Sequence, residues 1–158
     1  MLTALLLGLG DTALAAALRQ SGIVYPLTGS AHILGLGLLA GSIVTLDLRI
    51  LRIIKRGALS ELAPLLSRVA ACGLLLAMIT GVLLFSVQPA HYLGNGAFLL
   101  KLLLISLALI NVFVVHCLPH WRAILAGQPA APLLKLTAGI SLLLWLTTIV
   151  AGRWIAFV

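Results

Sequence analysis

Four stretches of this chain are apolar enough and long enough to cross a lipid bilayer: about Ile23–Leu48, Leu65–Val87, Ala97–Cys117 and Leu133–Phe157. Each meets or exceeds the roughly 20 residues that span the hydrocarbon. Hydrocarbon offers backbone amides no water, so each stretch must satisfy its own polar groups as a helix. The connections Arg49–Pro64, Gln88–Gly96 and Leu118–Pro132 are short. Short connections join antiparallel neighbours, which predicts an all-α, up-down transmembrane four-helix bundle.

Composition excludes the soluble alternatives. Of 158 residues, 63% are hydrophobic and 8% charged, with a mean hydropathy of +1.26. A soluble domain carries about 25% charged residues. Three acids and ten bases cannot cover a globule, so much of the surface must face lipid. A net charge of +7 would suggest nucleic acid in a soluble protein. Here the bases cluster between the apolar segments, as topology signals do, and no nucleic-acid partner is expected. The length suits one membrane domain, residues 23–158, preceded by a segment over residues 1–22.

That preceding segment admits three readings. Met1–Leu18 is apolar, but Gly8-Leu9-Gly10 and Asp11 interrupt it, and it ends at Arg19-Gln20-Ser21-Gly22. The small residues Ala13 to Ala17 look like a signal-peptide cleavage region, yet no basic n-region precedes them. A fifth span would put Asp11 near mid-membrane. A short helix lying at the interface, with Asp11 and Thr12 toward the headgroups, is the expectation.

Charge asymmetry predicts orientation. Arg49, Arg52, Lys55, Arg56 and Arg68 flank the first connection, and Arg122 and Lys135 the third. Only Arg19, Lys101 and Arg153 lie toward the other side. The positive-inside rule places the first and third connections in the cytoplasm of a multi-pass protein of the bacterial inner membrane. Tyr25, Tyr92 and Trp154 would form an outer aromatic belt, and Trp121 an inner one.

Ionisable residues inside a membrane are functional candidates by default. His32 lies about 10 Å below the outer surface at 1.5 Å per residue, where it either ligates a metal or makes an interhelical hydrogen bond to a serine, threonine or asparagine. His91 sits just beyond the outer end of the second span, His116 near the inner end of the third, and His120 beyond it. The histidines thus divide into an outer pair and an inner pair. His32 and His116 differ in depth by roughly 20 Å, so they cannot ligate one haem. Gly29 and Gly35 flank His32 on its own helix face. They provide either room for a macrocycle or close helix packing. Lys101 and Arg153 lie toward the same side, where they either pair with haem propionates or snorkel to the interface. His91 either folds back as a second ligand or is solvated.

The inner run His116-Cys117-Leu118-Pro119-His120 offers imidazole and thiolate, which suit copper or zinc. Pro119 breaks the helix on which His116 and His120 would align. The bland alternative is a polar helix end. Cys72 does not match Cys117 in depth, and no disulfide is expected. Asp47 lies near the inner end of the first span, with Arg68 and Lys135 as plausible partners. Asn111 is expected to bond across helices. Walker, Gly-x-Ser-x-Gly and His-Glu-x-x-His signatures are missing. Any catalysis would be carried by a cofactor.

The runs Ala31 to Gly35, Gly41 to Arg49, Gly81 to Phe85, Phe98 to Lys101, Asn111 to His116 and Trp145 to Ala156 carry a resemblance. Over nearly its whole length the chain resembles a bacterial family of small inner-membrane proteins of unknown function. That family is similar in design to copper-resistance D-type proteins and four-helix b-type cytochromes. The resemblance implies a haem b or copper-linked role, and it supports positions His32, Asp47, Lys101, His116 and Arg153. His91 and His120 fall outside that pattern.

The leading expectation is therefore a b-type haem or haem-copper protein acting in membrane electron transfer. In it His32 ligates an outer haem, with His91 or a second subunit completing the iron, and His116 ligates an inner centre. The rivals are a copper-transport or tolerance protein with His116, Cys117 and His120 among its ligands, and a structural subunit of a membrane complex. Membrane lipid, a homo-oligomer and a redox partner or quinone are the expected partners.

Overall fold

A computed structural model describes residues 6–157. The first five residues of the expected interfacial segment and Val158 lie outside them. The helices are α1 (Ala13–Gln20), α2 (Val24–Ile50), α3 (Leu59–Val87), α4 (Pro89–Gly94), α5 (Gly96–Cys117), α6 (Pro119–Leu125) and α7 (Pro132–Trp154). Short 3-10 turns occupy Leu9–Asp11 and Ile155–Phe157. The described residues contain no strand. α2, α3, α5 and α7 are the four membrane-length helices. Their outward faces carry large apolar side chains such as Ile33, 72% exposed, and Phe113, 71% exposed. Only lipid tolerates such faces at this density.

The connections hold more helix than their sequences suggest. α3 begins at Leu59, so Pro64 lies within it rather than before it. As the sixth residue of α3 it lies past the amides that lack an intrahelical acceptor, so it forfeits one helical hydrogen bond, to the Ser60 carbonyl. Gln88–Gly96 contains α4 and Leu118–Pro132 contains α6, each opened by a proline at its first position. Proline there is pre-set for helix. Leu118 is extended, as a residue before proline should be, so α5 stops and the chain restarts at a new angle.

The bundle consists of two tight helix pairs. α3 packs along α2, α5 packs along α7, and α2 joins the pairs through α7. Glycine explains the closest approach. A Cβ at Gly35 would lie 2.8 Å from the Ala77 amide nitrogen, and one at Gly73 would lie 2.6 Å from that of Leu39. Backbone therefore meets backbone, as small residues permit in membranes. Of the two readings of the glycines around His32, Gly35 follows the packing one. Gly29, Gly37 and Gly41 would meet nothing within 4 Å. α3 and α5, though consecutive spans, hardly touch. Their near ends meet through the stacked rings of Phe85 and Phe98, 5.7 Å apart, and the bundle is open between them farther along.

The N-terminal segment is docked onto one end of this bundle. Thr12 caps α1 by accepting from the Ala15 amide, and Leu9–Asp11 breaks the helical path before it. α1, at 8 residues, is about 12 Å long and too short to cross a membrane. Arg19 donates to the carbonyls of Gly10, at 2.7 Å, and Val87, at 3.0 Å, tying α1 to the end of α3.

Candidate functional site

His32 projects from α2 toward α3, one turn beyond the Gly35 crossing. Its Nδ1 lies 3.0 Å from Thr80 Oγ1. The Thr80 hydroxyl has one proton, and it donates that proton to the Leu76 carbonyl at 2.6 Å. Thr80 Oγ1 must then accept from His32, so the proton of a neutral imidazole sits on Nδ1. Nε2 keeps its lone pair and has no hydrogen-bond partner among the described residues. Gly81 makes this placement possible, since a Cβ there would come within 3.2 Å of the ring's Cε1. Gly73, Ala77 and Thr80 form the buried stripe of α3 that receives α2. An interhelical hydrogen bond from His32 to a serine, threonine or asparagine was the alternative the sequence offered, and Thr80 is the residue that makes it. Its spacing from Gly73 and Ala77 was the available signal.

Lys101 of α5 stands within electrostatic reach of His32. Its chain lies along α7, with Nζ 3.6 Å from where a Cβ of Gly152 would be. Arg153 does not join them. It is exposed and its guanidinium sits over the Phe157 ring at 5.1 Å. His91 is exposed on α4, with its ring 5.8 Å from that of Tyr92, and no contact links it to His32. Tyr92 packs with Phe85 and Phe98, and burial, with Tyr25 nearby, pushes its phenol above the usual range.

At the basic end, His116 hydrogen-bonds the Val112 carbonyl one turn back, at 2.8 Å, through Nδ1. Its ring lies 4.5 Å from that of Trp121. His120 begins α6 and its Nδ1 is buried without a partner. Cys117 and Cys72 are exposed free thiols. Among the described residues no three of His, Cys, Asp and Glu come together as a metal-holding group.

The second polar cluster centres on Asp47. Asp47 is 5% exposed, on the buried stripe of α2. Neither Arg68 nor Lys135 pairs with it, contrary to the expectation. Arg68 is exposed, and such bases retain hydration by extending outward. The polar neighbour of Asp47 is instead Ser141 of α7. Asp47 Oδ2 has no hydrogen-bond partner, and the same holds for Ser67 Oγ of α3 and Trp145 Nε1 of α7. Each such buried group costs about 1–3 kcal/mol. All three line one cleft of about 390 Å³, between α3 and α5 and floored by Trp121. Asn111, also on its wall, donates to the Thr137 carbonyl at 3.2 Å, the expected bond across helices. Ser67 and Trp145 escaped sequence reasoning because only the packing brings them to Asp47.

No curated protein and no solved structure matches this chain. A family profile matches residues 11–158, covering every helix just described. By that match the chain belongs to a family of unknown function, DUF6644.

Proposed function

We propose that this protein is a membrane redox protein that holds a b-type haem through Nε2 of His32. The observation that carries this reading is the Thr80 contact. An imidazole that ligates a metal usually donates its other N–H to a fixed partner, which sets the tautomer and orientation. His32 has that arrangement inside an apolar helix, where an idle histidine would be costly. The single free imidazole nitrogen of His32 would hold a haem iron. Haem, when bound, supplies one-electron chemistry.

The chain's own residues do the positioning. Thr80 holds the ring, Gly81 admits it, and Lys101 places a cation for a propionate carboxylate. A second ligand would have to come from His91 or from another subunit of a homo-oligomer. The seven bases at one end against three at the other support a cytoplasmic basic end in a bacterial inner membrane.

The test is an oxidised-minus-reduced visible spectrum of detergent-purified protein, with metal analysis. A Soret band with sharp reduced α and β bands, lost in His32→Ala, is expected. A colourless protein with bound copper would shift the assignment to copper handling by His116, Cys117 and His120. A colourless, metal-free protein would leave the structural-subunit role.

A further inference from the structure

We propose that the cleft between α3 and α5 binds a lipid-soluble quinone or its quinol, which enters sideways from the bilayer. The inference stands on the cleft's own geometry and does not require haem at His32. Three helices each contribute one buried polar atom without a partner: Asp47 from α2, Ser67 from α3 and Trp145 from α7. Their convergence on one cleft calls for a ligand with a polar head.

The chemistry of the three atoms narrows the class. An indole N–H only donates, so Trp145 needs an acceptor oxygen on the ligand. A hydroxyl at Ser67 donates or accepts. The free Asp47 oxygen takes a hydroxyl hydrogen as a carboxylate, or gives one as a carboxylic acid. A quinone carries carbonyl acceptors on a flat ring, and its quinol carries hydroxyl donors at the same positions. The couple therefore satisfies the set in either state. A phospholipid acyl chain satisfies none of the three, and a phosphate headgroup would set like charge against Asp47.

Shape and access agree with this class. The volume, about 390 Å³, falls in the ~300–1,000 Å³ range of small-molecule sites. Trp121 and Trp145 line the cleft, and so do the apolar Leu66, Ala71 and Phe113. Ala71 and Phe113 are exposed, so this side of the cleft opens toward the lipid.

The experiment is a titration of the full chain in lipid nanodiscs with decylubiquinone, read by tryptophan fluorescence. Trp121 and Trp145 line the cleft, so occupancy should quench them along a saturable curve. Ala71→Phe, which fills the lipid-facing wall from an exposed position, should raise the half-saturating concentration at least about tenfold, or 1.4 kcal/mol. Ser67→Ala should raise it severalfold, and Gly37→Ala, whose methyl meets open space away from the cleft, should leave it unchanged. Non-saturating quenching equal in wild type and Ala71→Phe would mean simple partitioning and would overturn the proposal. A saturable curve that Ala71→Phe does not move would place the quinone elsewhere and would overturn it equally.

Discussion

His32 Nδ1 lies 3.0 Å from Thr80 Oγ1, and the hydroxyl's only proton is directed to the Leu76 carbonyl, 2.6 Å away. A helix carbonyl on α3 thereby sets the tautomer of an imidazole on α2. In protein with 15N-labelled histidine, long-range nitrogen–carbon-proton correlations should report His32 as the Nδ1–H form. Thr80→Val should convert it to a mixture of tautomers. An Nε2–H form in the wild type would break the chain of donors.

Gly35 and Gly73 let α2 and α3 meet backbone to backbone. Gly35→Ala and Gly73→Ala should each destabilise the detergent-solubilised protein by about 1–3 kcal/mol through overpacking. Gly37→Ala places its methyl in open space and should be neutral or slightly stabilising. Equal thermal midpoints for all three variants would remove this crossing as the tight one.

Asn111 donates to the Thr137 carbonyl, joining α5 to α7. α5 has few buried positions, with Ala108 its fully buried residue. Asn111→Leu should therefore lower stability by roughly 0.6–1.7 kcal/mol, the range of such bonds in membranes. The unfolding midpoint in detergent measures it, and an unchanged midpoint would mean that the bond contributes nothing.

Arg19 ties α1 to the end of α3 through two carbonyl oxygens. Arg19→Ala should loosen the segment by about 1 kcal/mol. Hydrogen exchange in Ala13–Gln20 should rise severalfold while α2 and α3 keep their protection. Unchanged exchange there would show that apolar packing of Ala15 and Leu18 holds the segment without the arginine.

Tyr92 is held protonated by burial and by Tyr25 nearby. Its folded pKa is raised, so this contribution to stability is complete below the ordinary tyrosine value of about 10. It is lost as pH rises through the higher folded value. Absorbance at 295 nm should show one late phenolate transition, missing in Tyr92→Phe. Both tyrosines titrating together near pH 10 would contradict the burial effect.

The four spans were legible because length and apolarity dictate helices in lipid, whatever their neighbours. Asn111 was legible for the same reason, since an amide in hydrocarbon must find a partner. The short helices α4 and α6 were hidden because Gln88–Gly96 read as a plain connection and Pro119 as a break, although proline also starts helices. The Asp47 partner was misassigned because nearness in depth, which sequence reports, is not nearness across the bundle.

His32 as an intramembrane candidate thus came from sequence alone, through the physics of a polar group in a medium without water. Its proton, its free nitrogen and the role of Thr80 came from tertiary structure, because 48 residues separate the two side chains and only the Gly35–Gly73 crossing unites them. The cleft is likewise a product of packing. α3 and α5 follow one another in the chain yet fail to close, and that failure leaves Asp47, Ser67 and Trp145 facing one space. Solvent chemistry selects which segments become helices and lies in local composition. Which faces meet depends on side-chain volumes summed across distant segments, and that appears only when the helices pack.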